Sequence, residues 1–338
     1  MPAPQFYIGT NRATKVLIHS MDMDLDLKFQ TVLWDGQELD TMDLSSSNQI
    51  ISPPQMTGTH RTKSLKLIRY YNQSTAFKTW AEETKNVLLN DSPLSPPSKS
   101  VVIYYYDKST TPPSDPGGSS NTQPLDNVMT VFLGDCLIKS YHLDVHSSTS
   151  SAMVEKIELV PLQHNSVTIS FGTPDIPNGM TVVNVGSGPF TATSQTTLGP
   201  IQSYNNLALV IDGFEVEYSK IISIDTLKYL NATVEELIHT DDLAPYSVLS
   251  GIDNESYTLT LRTSNSTLLN QKWLNWFSNF KLGVLEYKLI QIKFLLQDMT
   301  TVHQTCNLTN ARPLNYKIEA NGQIIWSIIF EHSSFVQP

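Results

Sequence analysis

The sequence predicts a mainly β chain of the α+β kind: two tandem β-barrel or β-sandwich units, each with one flanking helix. Three observations carry this. The halves repeat one order of features, strand-like alternation dominates while helical spacing occurs once per half, and charge is sparse. Only 16% of the 338 residues are charged, and Ser, Thr and Asn fill the gap. That composition suits β-rich proteins whose surfaces meet other protein surfaces, because interface centres are depleted in charge.

The repeat comes first, because it states that one building block is used twice. Gly58 opens T-G-T-H-R-T-K-S-L-K-L-I-R-Y-Y-N-Q-S-T-A-F-K-T-W, and Gly251 opens S-G-I-D-N-E-S-Y-T-L-T-L-R-T-S-N-S-T-L-L-N-Q-K-W-L-N-W. Each reads as a glycine turn, an alternating strand with an arginine near its end (Arg69, Arg262), an Asn-x-Ser/Thr corner and a Trp-bearing helix. A β-rich run, a lone cysteine (Cys136, Cys306) at a matching place and a closing strand follow each time.

In the first unit, residues 1–163, Lys15 to Val32 reads as one or two strands. Within it Asp22, Asp24 and Asp26 alternate with Met21, Met23, Leu25 and Leu27, which puts three carboxylates on one face. Ser64 to Tyr71 is a strand. Ser74 to Leu89 spaces Phe77, Trp80, Ala81, Val87 and Leu88 as a helix does. Val101 to Tyr106 is β-branched and aromatic and pairs with Val128 to Leu133. The Pro/Gly/Ser segment at 109–124 between them predicts a protruding loop. Leu137 to Val145 and Ala152 to Leu162 close the unit as a hairpin.

Residues 164–203 are broken repeatedly by Pro and Gly yet keep strand character at Val167 to Phe171 and Met180 to Val185, an elaborated connector. The second unit, residues 204–338, runs through Leu207 to Ile211, an Asp212-Gly213 turn, and Phe214 to Tyr218. Tyr257 to Arg262 then answers Ser64 to Arg69. The helix Leu268 to Phe280 carries Trp273 and Trp276, and Leu289 to Leu296 answers the Val101 strand. Thr305 to Asn310, Leu314 to Ala320 and Ile324 to Phe330 close the unit.

Chemistry is thinly signalled. His142, Asp144 and His146 share one strand face, but alternate strand residues stand nearly ~7 Å apart, long for one ion, so a polar face is the reading and no metal is assigned. Asp22, Asp24 and Asp26 have no acid/base partner motif and read as a solvated face or the wall of a negative passage. Trp80, Trp273 and Trp276 read as packing or interface residues rather than stacking platforms. There is no phosphate-cradling loop, no nucleophile elbow and no Cys-x-x-Cys pair, so neither an enzyme nor a cofactor is expected. The net charge of −10 without a basic cluster argues against a nucleic-acid grip. The N-terminus lacks the features of a signal peptide, and no run approaches the ~20 apolar residues of a membrane helix.

Thr309-Asn310-Ala311-Arg312-Pro313-Leu314-Asn315-Tyr316, followed by a strand ending at Glu331-His332, resembles the closing signature of contractile-tail tube proteins, approximately T-N-A-x-P-x-x-Y. The helix with Trp273 and Trp276 stands where that family carries its Trp-bearing helix. In the first unit Tyr141-His142-Leu143 replaces the Arg-Pro-Leu step, and Val154 to Leu162 replaces the final strand. The resemblance implies tube-type barrels that form six-fold rings around a channel for DNA or effector protein. A chain with two such domains resembles baseplate hub or adaptor proteins, three copies posing as six. It implies self, tube, spike or baseplate proteins as partners, assembly in the bacterial cytoplasm, a place in a virion tail or injection particle, and Tyr316 as a packing or interface residue. Asp22, Asp24 and Asp26 would then line the lumen, and cargo would make only passive contact. The alternative is a carbohydrate- or receptor-binding β-sandwich, for which the Trp and Tyr content speaks.

Overall fold

The computed structural model describes residues 12–18, 31–42, 55–71, 76–90, 95–108, 125–145, 153–164, 166–171, 207–212, 214, 223–237, 245–253, 257–263, 267–296, 298 and 300–336. The acidic ladder Asp22, Asp24 and Asp26, the 109–124 loop and most of the connector lie outside the described residues.

The first half supplies β1 (Arg12–Ile18), β2 (Thr31–Trp34), β3 (Gln37–Met42), β4 (Gln55–Thr62), β5 (Leu65–Tyr70), α1 (Ala76–Leu89), β6 (Ser98–Lys108), β7 (Leu125–Val145), β8 (Met153–Pro161) and β9 (Val167–Phe171). The second supplies β10 (Leu207–Ile211), β11 (Ser223–Leu237), β12 (Tyr246–Ile252), β13 (Thr258–Thr263), α2 (Thr267–Lys281), β14 (Lys288–Leu295), β15 (Val302–Ile318), β16 (Ile324–Ile329) and β17 (His332–Val336). The described chain is mainly β with two flanking helices, and its strand pairs are antiparallel.

The two halves pair their strands in corresponding orders. The first half pairs in the order β1-β6-β7-β8-β5-β2, with β9 on β7. The second pairs β10-β14-β15-β16-β13-β11, with β17 on β15. The strand β11 answers β2 and β3 together: its start pairs β13 and its end pairs β12. In the first half this strand is cut at Asp35-Gly36, where Gly36 takes φ +81°. A left-handed residue of this kind suits glycine, which has no Cβ to clash. The piece β2 then stays with β5 while β3 joins β4.

The registers match as closely. Leu65 faces Leu159 and Tyr70 faces Val154, just as Thr258 faces Ile329 and Thr263 faces Ile324. Arg69 and Arg262 are therefore one position of the repeat. Both units also carry one bulge: β6 shifts on β7 between Lys99 and Val101, and β14 shifts on β15 between Lys288 and Ile290. The bulged residues are Asp135 (φ 42°) and Asn310 (φ 52°), the residue types that tolerate the left-handed region.

Several expectations are corrected here. Gly134-Asp135 does not end a strand; it is a bulge inside the 21-residue β7. Gly58 and Gly251 open no turn, for both lie inside strands, and Gly251 sits beside the register shift of β11 on β12, a place where strand glycines gather. The cysteines are not equivalent. Cys136 faces Lys99 and matches Ala311, which faces Lys288, whereas Cys306 faces Ile292 and matches Val131, which faces Ile103. Nor does Tyr141-His142-Leu143 stand for the Arg-Pro-Leu step. Ile138 holds the place of Arg312, and His142 that of Tyr316.

The two halves meet in one sheet, because β11 also pairs β7, and one continuous apolar core serves both. Each helix covers the sheet of its own half with its tryptophans inward: Trp80, Trp273 and Trp276 are buried. Burying a large apolar side chain contributes about 1.5–3 kcal/mol. Trp80 donates its indole N–H to Pro97 O at 2.8 Å, and Trp276 donates to Glu286 O at 2.8 Å. Each acceptor lies two residues before the lysine that covers the same ring, Lys99 at 5.7 Å and Lys288 at 5.8 Å. Trp80 and Trp276 are thus one position, and Phe77 answers Trp273.

Candidate assembly interface

The chain carries one finished interface between its two repeats, and it is the model for the site. At its centre β7 and β11 run antiparallel, with Asp144 opposite Thr226, Leu143 opposite Leu227 and His142 opposite Lys228. Leu143, Tyr141, Leu227 and Leu230 are buried there. The ring of Tyr141 meets Tyr229 edge-on at 6.1 Å.

Buried polar groups lie behind this seam in the first half, and one bond crosses between the halves. Arg69 Nε donates to Glu155 Oε2 at 2.6 Å and Tyr141 Oη donates to Glu155 Oε1 at 3.2 Å, all three residues fully buried. Burial, then the Glu155 charge, holds the Tyr141 hydroxyl well above its ordinary pKa. Tyr71 Oη donates to Gln304 Oε1 at 2.9 Å across the halves. A buried donor without such a partner would cost ~1–3 kcal/mol.

Helix α1 closes the seam from one side by packing on β11 and β12. Its second face, Lys78, Ala81, Thr84 and Lys85, is buried as well as its tryptophan face. Lys85 Nζ donates to Ser333 Oγ at 2.6 Å and lies 4.3 Å over the Tyr229 ring, while Lys78 lies 4.8 Å over Phe335. Burial brings the Lys85 ammonium down to about 8.

At the other end His164, at the start of the predicted connector, ties both halves. Thr62 N–H donates to His164 Nδ1 at 2.8 Å, and His164 Nε2 lies 2.9 Å from Ser247 Oγ. An Nδ1 that accepts fixes the neutral ring with its proton on Nε2. Desolvation lowers the His164 pKa accordingly.

The closing signature now has a physical account. Asn310 supplies the left-handed bulge residue and donates from Nδ2 to Glu331 Oε2 at 2.7 Å, while Glu331 N–H donates to Thr309 O at 3.0 Å. Ala311 is wholly buried beside the bulge. Pro313 sits where β15 shifts register on β16, a bulge being one of the few places a strand admits proline. The Tyr316 ring stands 5.1 Å from Trp326 and 5.3 Å from Phe277, yet 38% of the residue is exposed.

Of the candidate residues, Trp80, Trp273 and Trp276 lie in the core, so no indole among them offers a stacking face to a sugar. His142 is half-buried and its pKa is lowered, chiefly by burial. Asp144 pairs with Lys156. His146 lies outside the described residues, and among the described residues no group of three potential ligands converges on a metal position. Cys136 and Cys306 are free, buried thiols, and burial pushes Cys306 up to about 12. No described helix is long and apolar enough to cross a membrane. The site residues that sequence reading missed are those of β2, β11 and, apart from Tyr316, the end of β15. The apolar residues Leu227, Tyr229, Leu230 and Ala232 set among polar ones were the available signal of β11.

No family model matches the chain, and no curated protein matches it. Solved structures do, and among those similar to it are chains of contractile injection system sheath–tube, tube-terminating cap and baseplate structures and an Hcp protein. A chain of the PVC sheath–tube complex in its extended state is 13% identical, with a TM-score of 0.32 over 44% of this chain and 100% of that one. A chain of the anti-feeding prophage cap, which terminates its tube, is 12% identical, with a TM-score of 0.29 over 41% of this chain and 92% of that one. The Hcp protein is 13% identical, with a TM-score of 0.26 over 42% of this chain and 75% of that one.

Proposed function

We propose that this chain is a structural, non-enzymatic subunit of a contractile phage tail or injection particle. In this reading residues 1–163 and 204–338 are two tube-type domains joined by 164–203. Three copies close a ring of six pseudo-equivalent units around a channel, at the junction of hub and tube. The observation that carries it is the strand-for-strand duplication, with the second copy ending in the Asn310-to-Glu331 closure of a tube-type signature. Duplicated units let a three-fold assembly present six-fold symmetry to a neighbour.

Asp22, Asp24 and Asp26 are assigned to the channel wall, where a negative potential repels DNA and lets cargo slide. Tube, spike and baseplate proteins are the partners above and below, and the particle is assembled in the cytoplasm before it matures. Native mass spectrometry of the purified chain is expected to give a species of three times the chain mass. A strictly monomeric protein at all concentrations sinks the reading. Single cysteines at 22, 24 and 26 are expected to react slowly with bulky maleimides once the ring has formed; reaction as fast as in the monomer removes the lumen assignment.

A further inference from the structure

We infer that the unpaired edge of β2 in one copy adds to the end of β15 in the next, repeating between chains the β7–β11 seam that each chain makes within itself. This rests on the ring reading above and names the surfaces that build it. The occupant is a second copy of this chain, joined head to tail.

The inference begins from two strands that lack what their counterparts have. Within the chain the end of β7 lies between β8 and β11. Its counterpart, the end of β15, has β16 on one side and, among the described residues, no strand on the other. Likewise β11 lies between β13 and β7, while its counterpart β2 has only β5 among the described strands. The missing neighbour of each is the counterpart of the other. An exposed edge of this sort is a ready template for pairing.

Burial agrees independently. Ser140 to Asp144 are buried at the internal seam except for half-buried His142, whereas all of Leu314 to Ile318 are exposed. Three of those exposed residues are large and apolar, Leu314 (50%), Tyr316 (38%) and Ile318 (61%), and on β2 Leu33 is 49% exposed where its counterpart Leu227 is 1%.

The helices give a third sign. The face of α1 buried by the second unit is Lys78, Ala81, Thr84 and Lys85. From the Trp80–Trp276 match, its counterparts on α2 are Leu274, Phe277, Phe280 and Lys281. Those are half-buried or exposed although three of the four are more apolar. Opposite them in the next copy would come the face of β9, where Ile169 answers Phe335 by its register on β7 and is 44% exposed. An apolar face left more open than its polar twin is the mark of a surface meant for cover.

The register transfers directly. Since Val32 matches Thr226, and His142, Leu143 and Asp144 match Tyr316, Lys317 and Ile318, the seam between copies puts Val32 opposite Ile318, Leu33 opposite Lys317 and Trp34 opposite Tyr316, antiparallel. Because both edges belong to one chain but are different surfaces, the contact is heterologous and propagates until it closes.

The test is Leu33→Cys combined with Lys317→Cys in the full chain, oxidised and run without reductant. Directly opposite residues of an antiparallel pair stand close enough for a disulfide, and the native thiols are buried. Covalent multiples of the chain up to the ring size are expected, and few from Leu33→Cys with Leu314→Cys. In parallel, Leu33→Asp with Ile318→Asp is expected to shift the mass to one chain while its circular dichroism spectrum stays that of the folded protein, since both positions are exposed in the single chain. A ring by native mass spectrometry that gives no 33–317 link, or that survives the aspartates, overturns this interface and leaves the ring standing. A chain that never assembles overturns both.

Discussion

Arg69 and Arg262 occupy one position of the repeat and meet opposite surroundings. Arg69 is fully buried against Glu155, while Arg262 stays partly exposed between Asp225 at 2.9 Å and Glu319 at 2.7 Å. The difference follows from one residue, because the place of Glu155 is taken by Ile325 in the second half. Breaking a buried pair strands a charge, so Glu155→Ala is expected to cost about 3–5 kcal/mol in urea unfolding. Losing either partner of Arg262 is expected to cost under about 1 kcal/mol. Two groups that tie the halves contribute to the pH response. The lowered pKa of His164 means its contribution is present above its unfolded value near 6.5 and is lost as pH falls through the folded value. His164→Asn is expected to flatten the acid limb of a stability–pH curve. Lys85 is lowered too, to about 8, so the unfolded chain binds more protons from there upward and stability rises with pH across roughly 8 to 10. Lys85→Met removes that rise; an unchanged slope would assign it elsewhere.

At the scale of the element, the helices and the strands β5, β8, β13 and β16 were legible in the sequence because their periodicity is local. The expected Ser74–Leu89 and Leu268–Phe280 helices differ from α1 and α2 only at their ends. The long strands were not legible. Gly134-Asp135 carries the chemistry of a turn, and nothing local tells a bulge, which bends a strand, from a turn, which ends it. The strand β11 was missed because its far end, Asn231 to Glu236, is polar as an exposed edge is, although its middle is enclosed by β7 and β13. The bulge itself is testable. Asn310→Gly and Asn310→Val both lose the exposed Glu331 contact. Asn310→Gly keeps positive φ without strain and is expected to cost under about 1 kcal/mol. Asn310→Val also forces a β-branched residue to positive φ and is expected to cost about 1–3 kcal/mol more. Trp80→Phe and Trp276→Phe each remove the same indole donor, and matched losses in thermal unfolding are expected if the two positions are equivalent.

For the whole molecule, the sequence shows a corresponding order of features from Gly58 and from Gly251 onward, but not the joining of the halves. Pairing between Leu143 and Leu227 joins strands of different halves, and no window of sequence reports it. Its consequence is thermodynamic: halves that share a sheet and a core unfold together. A single calorimetric transition, with calorimetric and van't Hoff enthalpies equal, is expected, and two resolved peaks would show that the β7–β11 seam is weaker than either half. The candidate surface was only partly legible. Tyr316 was named from the signature, while Leu33 and Ile318 show their role only when the occupied seam is set beside the vacant one.

The internal seam also governs how fast a ring can form. Six separate units need five diffusional encounters, and the concentration of complete rings at low occupancy scales with the sixth power of free subunit. In the ring proposed above every second joint is a tether, so its partner is always present at an effective concentration set by the connector rather than by expression level. Three chains would then need two encounters, and the scaling would fall to the third power. Few copies per cell would suffice to found a tube, a kinetic advantage for any part that must exist before the rest polymerises upon it.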